Sequence, residues 1–273
     1  MVNEALEQQL GRFSLRYARP SRAGLRVEVL AMAGGWKKTV YWTNKSSGAM
    51  KNALPMETET SNRSHLCDTH REEVASMVTH AAGMVFSVVA LVMMLVLSGG
   101  DPLKIVSAAV FGTSLIVLYS SSTLYHIATT HRWKARFQTL DHICIYLLIA
   151  GSYTPFTLIT LRGPWGWSIF GAVWAMAIGG IFMKTLWKGK KDHWFSTVLY
   201  LLMGWLIVLA IAPLWRQLPA AGVGWLAAGG LSYTLGVVFF AWNRLPFNHA
   251  IWHLFVLTGS VCHVFAVSLF VFR

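Results

Sequence analysis

Seven apolar runs of membrane-spanning length constrain this chain more than any other feature. From Ala75 onward, runs close to the ~20 residues that cross a bilayer alternate with short breaks that contain Gly, Pro or charge. The runs lie at 75–98, 104–126, 139–161, 165–187, 194–215, 221–242 and 249–271. The chain is 55% hydrophobic and only 12% charged, which fits the same class. The sequence therefore predicts an all-α integral membrane protein, a bundle of seven transmembrane helices.

Residues 1–70 are a different kind of sequence. They are polar and dotted with Arg, and their apolar pieces are short, as in Val27–Ala33. Such composition predicts a mostly disordered or loosely helical extension, followed by a membrane domain over 71–273. The alternative is a natural start at Met50 or Met56, with the upstream part arising from an extended reading frame.

The basic residues of the breaks predict an orientation. The second, fourth and sixth breaks carry most of them: Arg132, Lys134, Arg136, Lys184, Lys188, Lys190, Lys191 and Arg244. The first, third and fifth breaks carry only Lys104, Arg162 and Arg216. The positive-inside rule then predicts a cytoplasmic N-terminus and an outer C-terminus. We expect a multi-pass protein of the plasma (inner) membrane.

The formal net charge of +12 indicates the partners that the chain meets. Most of this charge lies in the tail and the breaks, where it suits anchoring beside anionic lipid headgroups. A nucleic-acid partner is not expected, because the chain has no basic, aromatic-studded soluble domain long enough to bind one. Membrane lipids are the predicted partners.

Ionisable residues of four predicted spans fall at one level of the membrane. Three spans contribute residues at their predicted cytoplasmic ends: His126, Asp141, His249 and His253. The start of the first span adds Glu73, Ser76 and His80. Chance placement would scatter such residues over both ends of the bundle. Ionisable groups inside a membrane are costly unless they are paired, line water or bind a metal, so this level is the predicted functional site.

Three of these histidines have the chemistry of a zinc site. His249 and His253 are four residues apart and share one face of a helix, and His126 supplies a third imidazole. A catalytic Zn²⁺ ion typically takes three protein ligands. Asp141 is well placed to orient or deprotonate the attacking water. Ser122 lies one turn before His126, where its hydroxyl could orient that imidazole or contact the water.

Several residues have simpler interpretations that stay open here. His80 and His263 could each form a helix–helix hydrogen bond, and Asp141 could form an ion pair with Arg136. His142 is interpreted as interfacial. Small residues in the third and fourth spans predict close helix packing: Gly151, Ser152, Gly171, Gly179 and Gly180.

Four motifs together resemble one family. EEVASMVTH, SSTLYH, LDHICIYLLIAGSYTPF and HAIWHLFVLTGSVCH are similar to the hemolysin III family, which belongs to a superfamily with the adiponectin and progestin receptors and, more distantly, the alkaline ceramidases. The resemblance runs from Glu72 onward. It implies a seven-helix bundle with zinc on its cytoplasmic side, held by the three histidines, with Asp141 beside the activated water. It also implies that the polar cluster includes Ser122, Glu73, Ser76 and His80.

Three functions compete at this point. The first is a zinc-dependent membrane hydrolase of lipid amides or esters, as kinship with ceramidases suggests. The second is a non-enzymatic sensor or regulator of lipid state, with a structural zinc that ties the second helix to the seventh. The third is a cytolysin, although these short-looped helices include no amphipathic segment like that of a pore-former. Alanine at Asp141 separates the first two, and lysis of protein-free liposomes is the test of the third.

Overall fold

A computed structural model describes residues 13–21, 24–31, 37–42, 69–186 and 192–273. The chain divides into two units, Met1–Ser61 and Asn62–Arg273. The described part of the first unit is a three-stranded antiparallel sheet in the order β1-β2-β3. Its strands are β1 Phe13–Ser21, β2 Gly24–Ala31 and β3 Lys37–Trp42.

The described residues of the stretch predicted as a mostly disordered or loosely helical extension form these strands, and the rest of that stretch lies outside the described residues. In the middle strand, GLRVEVLA, apolar and charged residues alternate, and this period of two favours a strand over a helix. β3 ends in Thr-Val-Tyr-Trp, residue types that fit a pleated sheet. In the register, Val27 pairs with Ala18 on one side and with Val40 on the other. A bulge between Leu15 and Tyr17 interrupts the β1–β2 pairing.

The described part of the second unit contains seven helices long and apolar enough to cross a membrane, which confirms the predicted fold class. These helices are α1 His70–Leu97, α2 Pro102–Ile127, α3 His131–Thr160, α4 Pro164–Leu186, α5 Trp194–Gln217, α6 Ala220–Ala241 and α7 Asn248–Val271. Most bounds lie within a few residues of the predicted runs. The orientation of the bundle in the membrane stays a prediction.

The start of α3 is the largest difference from the sequence prediction. The helix begins at His131, directly after Thr130, whereas the apolar run begins at 139. The stretch HRWKARFQ contains no Gly or Pro and several good helix formers, so the helix continues beyond the apolar core. These roughly two extra turns bring Lys134 and Arg136 onto the helix.

Helix packing places α7 against two neighbours that matter for the site. α1 packs along α2, α2 along α3, and α7 along both α6 and α1. One face of α1 carries the buried residues of the helix at heptad-like spacing, and it includes Ser76, His80, Gly83 and Ser87. Polar and small side chains on this face therefore point into the bundle rather than toward lipid.

Close packing explains some of the small residues in α3 and α4. A Cβ atom on Gly151 would collide with Ser114, and one on Gly180 would collide with the Tyr146 ring. In contrast, a Cβ atom on Gly171 or Gly179 would meet nothing within 4 Å. The prediction of close packing is confirmed for Gly151 and Gly180 and is wrong for Gly171 and Gly179.

Three of the described helices contain an irregular segment, and one of these segments is the π-helix Val267–Val271 at the end of α7. α3 widens into a π-helix over Phe156–Thr160, directly after Pro155, whose ring disrupts the regular hydrogen bonds. α5 tightens into a 3₁₀-helix over Leu206–Ala210. Pro213 follows shortly after and has no N–H to donate to the Leu209 carbonyl, four residues earlier. The Tyr153 hydroxyl accepts from Ile207 N at 2.9 Å and lies 2.8 Å from the carbonyls of Met203 and Gly204, so it stabilises this break.

Candidate metal centre and its cavity

The start of α7, which carries His249 and His253, is fixed by an acid on α1. Phe247 caps this helix with a left-handed backbone (φ 59°), a conformation that favours glycine. Its amide donates to Glu72 Oε1 at 2.8 Å. The same carboxylate accepts from Thr69 N at 3.0 Å in the capping box of α1. Glu72 therefore joins the beginnings of α1 and α7.

The structure brings together the three histidines that the sequence predicts as metal ligands. His126, His249 and His253 each offer a ligand nitrogen, and these atoms lie within 4.8 Å of one another. All three residues are buried. Tetrahedral zinc with Zn–N bonds of ~2.0–2.1 Å places its ligand atoms ~3.4 Å apart, so small side-chain rotations would close the site.

A carboxylate and a lysine fix the orientation of His126. Its Nδ1–H donates to Glu73 Oε2 at 2.8 Å, so Nε2 carries the lone pair in the neutral ring. Glu73 Oε1 in turn lies 2.7 Å from Lys134 Nζ, and this ammonium group also lies 4.7 Å from the centre of the Tyr125 ring. A carboxylate that accepts from a ligating histidine is the usual outer partner in metal sites.

The other two histidines also fit a metal ligand set. His253 Nδ1–H donates to the Ser76 backbone carbonyl at 3.2 Å, which leaves Nε2 as the coordinating atom. For His249, neither ring nitrogen has a hydrogen-bond partner among the described residues, although the residue is only 4% exposed. Buried polar atoms without partners are rare. These orphaned nitrogens, next to two preoriented imidazoles, show that the residues fit a bound metal ion.

His80 belongs to the same cluster. Its ring stacks on His253 with 3.5 Å between ring centres, and the Tyr119 ring meets it edge-on at 5.0 Å. Within the described part of the chain its two nitrogens have no hydrogen-bond partner, so the helix–helix hydrogen bond considered for it is not formed. His80 supports the His253 ring from one face.

Asp141 and Ser122 are the two further residues that the sequence predicts beside the histidines. Both residues are buried, and the Ser122 hydroxyl has no hydrogen-bond partner among the described residues. Asp141 lines the same cavity as His80, His249 and His253. Arg136 instead lies over the Trp133 ring, and no ion pair joins it to Asp141 in the described chain, so that alternative is not observed.

His142 corrects one minor interpretation. It is buried rather than interfacial and lines the same cavity as Asp141. Its Nδ1–H donates to the Gln138 carbonyl at 2.6 Å, and its own carbonyl accepts from the Tyr200 hydroxyl at 2.8 Å. The early start of α3 and its packing against α5 account for this burial.

A large apolar cavity opens from the histidines into the bundle. It contains about 1230 Å³ of space, its open mouth included, and residues of α1, α2, α3, α5, α6 and α7 line it. Its wall is mostly apolar and includes Leu118, Ile145, Leu148, Trp252 and Val256. Concave apolar sites with a few convergent polar groups are typical ligand sites.

Sequence reasoning missed Lys134 and Glu72 as parts of the site. The sequence places Lys134 in a basic break between two spans, yet its side chain is only 10% exposed and pairs with Glu73. It stands seven residues before Asp141, and this heptad spacing on a helix would have placed the two on one face. Glu72 accepts from the backbone amide of Phe247, which is distant in sequence. No sequence pattern predicts such a contact.

Comparison with known proteins agrees with the four motifs. The model of the haemolysin-III related family matches residues 69–264. Hemolysin-3 of Bacillus cereus is 45% identical over 203 residues, which cover 74% of this chain and 92% of that protein. The Hemolysin-3 homolog of Bacillus subtilis (strain 168) is 43% identical over 201 residues, 73% of this chain and 94% of that one. The human Monocyte to macrophage differentiation factor is 33% identical over 208 residues, 74% of this chain and 85% of that protein.

These matches confirm the resemblance drawn from the sequence, and they cover the helices that carry every residue of the histidine cluster. The seven apolar helices and the bacterial relatives indicate a multi-pass protein of the plasma membrane. The chain belongs to the haemolysin-III related family.

Proposed function

We propose that this protein is a zinc-dependent membrane hydrolase of lipid amides or esters. The observation that supports the proposal best is the buried set of His126, His249 and His253, whose ligand nitrogens lie within 4.8 Å of one another at the end of an apolar cavity. Three imidazoles with free positions for other ligands are a typical catalytic zinc set. A zinc ion held there would supply Lewis-acid chemistry at neutral pH.

The residues around the histidines have complementary roles in this proposal. Asp141 takes a proton from the attacking water and returns it to the leaving amine or alcohol. The buried Ser122 hydroxyl, one turn before His126 and without a partner in the described chain, contacts the attacking water. The overall reaction breaks the acyl C–N or C–O bond with one water and gives a fatty acid and an amine or alcohol. The apolar wall holds the acyl chain and excludes bulk water.

The test is fatty acid release by zinc-loaded protein in lipid nanodiscs. A long-chain ceramide and a fatty acyl ester serve as substrates, and mass spectrometry quantifies the released acid. We expect Asp141→Asn to lower release by ~10²-fold or more while zinc content stays unchanged. Arg136→Gln is the matched control, because Arg136 lies on the same helix and contacts Trp133 instead of the cavity.

The competing function is a structural zinc in a non-enzymatic lipid sensor or regulator. It draws support from the same contacts, because the histidine cluster and Glu73 join α1, α2 and α7. Zinc-loaded protein that releases no acid from either substrate, yet unfolds at lower temperature after zinc removal, would replace the hydrolase with this function.

A further inference from the structure

A second polar position lies deep in the interior, far from the histidine cluster. His263 stands on α7 ten residues after His253, a distance of ~15 Å along the helix axis. It is only 8% exposed. It lines both the large cavity and a second, adjoining cavity, so it stands where the two meet.

The ring of His263 is held in one orientation by α6. Its Nε2 lies 3.3 Å from the Leu226 carbonyl, which is the helix–helix hydrogen bond expected from the sequence. The same edge of the ring packs so tightly against Gly229 that a Cβ atom there would collide with it. The Tyr233 ring meets His263 at 74° with 5.4 Å between ring centres. The imidazole is therefore preorganised before any ligand arrives.

The hydrogen bond to Leu226 fixes which nitrogen carries the proton. A carbonyl can only accept, so in the neutral ring Nε2 carries the N–H and Nδ1 carries the lone pair. Nδ1 is buried and has no hydrogen-bond partner among the described residues. The nearby hydroxyls are engaged elsewhere, since Tyr119 and Tyr233 lie 2.8 and 2.9 Å from Ser260 Oγ. An unsatisfied buried acceptor attracts a donor.

The second cavity shows what kind of molecule could bring that donor. Beyond His263 its lining is almost entirely apolar and includes Phe156, Ile207, Leu214 and Val223. A ligand that fits both cavities and also satisfies Nδ1 is therefore a hydrocarbon chain with one polar group beside His263. Because Nδ1 accepts, that group must be a donor such as a hydroxyl; a ketone or an ester carbonyl cannot satisfy it.

We propose that His263 recognises a hydroxyl group on the chain of a long-chain lipid whose head lies at the histidine cluster. The hydroxyl would lie ~15 Å from the head and donate to Nδ1, while the tail continues into the second cavity. The placement of the head at the cluster rests on the proposed function, but recognition at His263 does not depend on hydrolysis.

The test compares three probes that differ at one position. Stearic acid, a mid-chain hydroxystearic acid and the matching ketostearic acid compete with radiolabelled stearic acid for purified full-length protein in nanodiscs. We expect the hydroxy acid to compete roughly two- to tenfold better than stearic acid, the range of one neutral hydrogen bond. The keto acid should show no such advantage. An equal advantage for the keto acid, or none for the hydroxy acid, would overturn the inference.

Variants separate recognition at His263 from the proposed function. His263→Phe should bind stearic acid like wild type and lose the hydroxy preference, and Gly229→Ala should weaken that preference by displacing the ring. Gly224→Ala is the matched control, because a Cβ atom there meets nothing within 4 Å and the residue lines neither cavity. A hydroxy preference that persists in His263→Phe contradicts the inference. His253→Ala should weaken all three acids equally and keep the hydroxy preference. Unchanged binding there would contradict the placement of the head at the histidine cluster, whereas loss of fatty acid release with the hydroxy preference intact would count against the proposed function alone.

Discussion

The substitution Glu73→Gln tests how the protein preorganises its candidate metal ligands. Glu73 accepts from His126 Nδ1 at 2.8 Å and pairs with Lys134 Nζ at 2.7 Å. A hydrogen bond to a charged group contributes ~1.5–3 kcal/mol, against ~0.5–1.5 kcal/mol for a neutral one. Glutamine keeps the shape and the acceptor oxygen, so about 1 to 1.5 kcal/mol is lost at His126, which corresponds to a roughly tenfold weaker metal site.

Partial exposure of Glu73 limits the size of this effect. The Glu73 side chain is 18% exposed, so water screens part of its charge and we expect the lower part of the ~10–100-fold range seen for such outer partners. The assay is zinc affinity by chelator competition in detergent. Asp101→Asn is the control, because Asp101 caps α2 at the other end of α1 and should leave the affinity unchanged. Zinc affinity within a factor of ~2 of wild type in Glu73→Gln would refute the reasoning, since loss of the charged partner should cost more.

Three further predictions concern stability and can be checked by thermal unfolding in detergent. In Glu73→Gln, the buried Lys134 ammonium group has lost the carboxylate that pairs with it. Adding Lys134→Met removes this unpaired charge and should raise the unfolding temperature. A further decrease in that temperature would contradict the buried ion pair. Gly180→Ala should lower the free energy of unfolding by about 1–3 kcal/mol, because the added methyl group collides with the Tyr146 ring. The control Gly179→Ala should leave it nearly unchanged, since a Cβ atom there meets nothing within 4 Å. Equal effects would contradict this packing. Tyr153→Phe should lower the free energy of unfolding by ~1–3 kcal/mol and speed hydrogen exchange of the Ile207 amide, which donates to the Tyr153 hydroxyl. Unchanged exchange at Ile207 would show that this hydrogen bond does not stabilise the 3₁₀ segment of α5.

The membrane architecture could be predicted from the sequence because hydropathy and length are nearly sufficient for it. The level of the polar residues was equally accessible, since depth along a helix follows from counting residues. This count places His126, Asp141 and the α7 histidines at one end of the bundle. One of the N-terminal strands also has a sequence signal, because GLRVEVLA alternates with a period of two. The polar composition of the surrounding residues favours disorder and outweighs this signal in the prediction.

Other features depend on contacts that no local pattern encodes. Ser76 serves the site through its backbone carbonyl, which every residue possesses. Lys134, which pairs with Glu73, lies at the start of α3, in the part of the helix that precedes the apolar run at 139–161. Gly171 and Gly179 resemble Gly180 in sequence, yet only Gly180 meets another helix. Packing partners, rather than residue types, decide these cases.

The central claim is that His126, His249 and His253 hold one metal ion. The most direct measurement is metal content per protein by mass spectrometry, on wild type, His253→Ala and His263→Ala purified without chelators. We predict one zinc in wild type, none in His253→Ala, and one in His263→Ala, because His263 lies ~15 Å along α7 from the cluster. Folded wild type without metal, or zinc that survives in His253→Ala, would contradict the account.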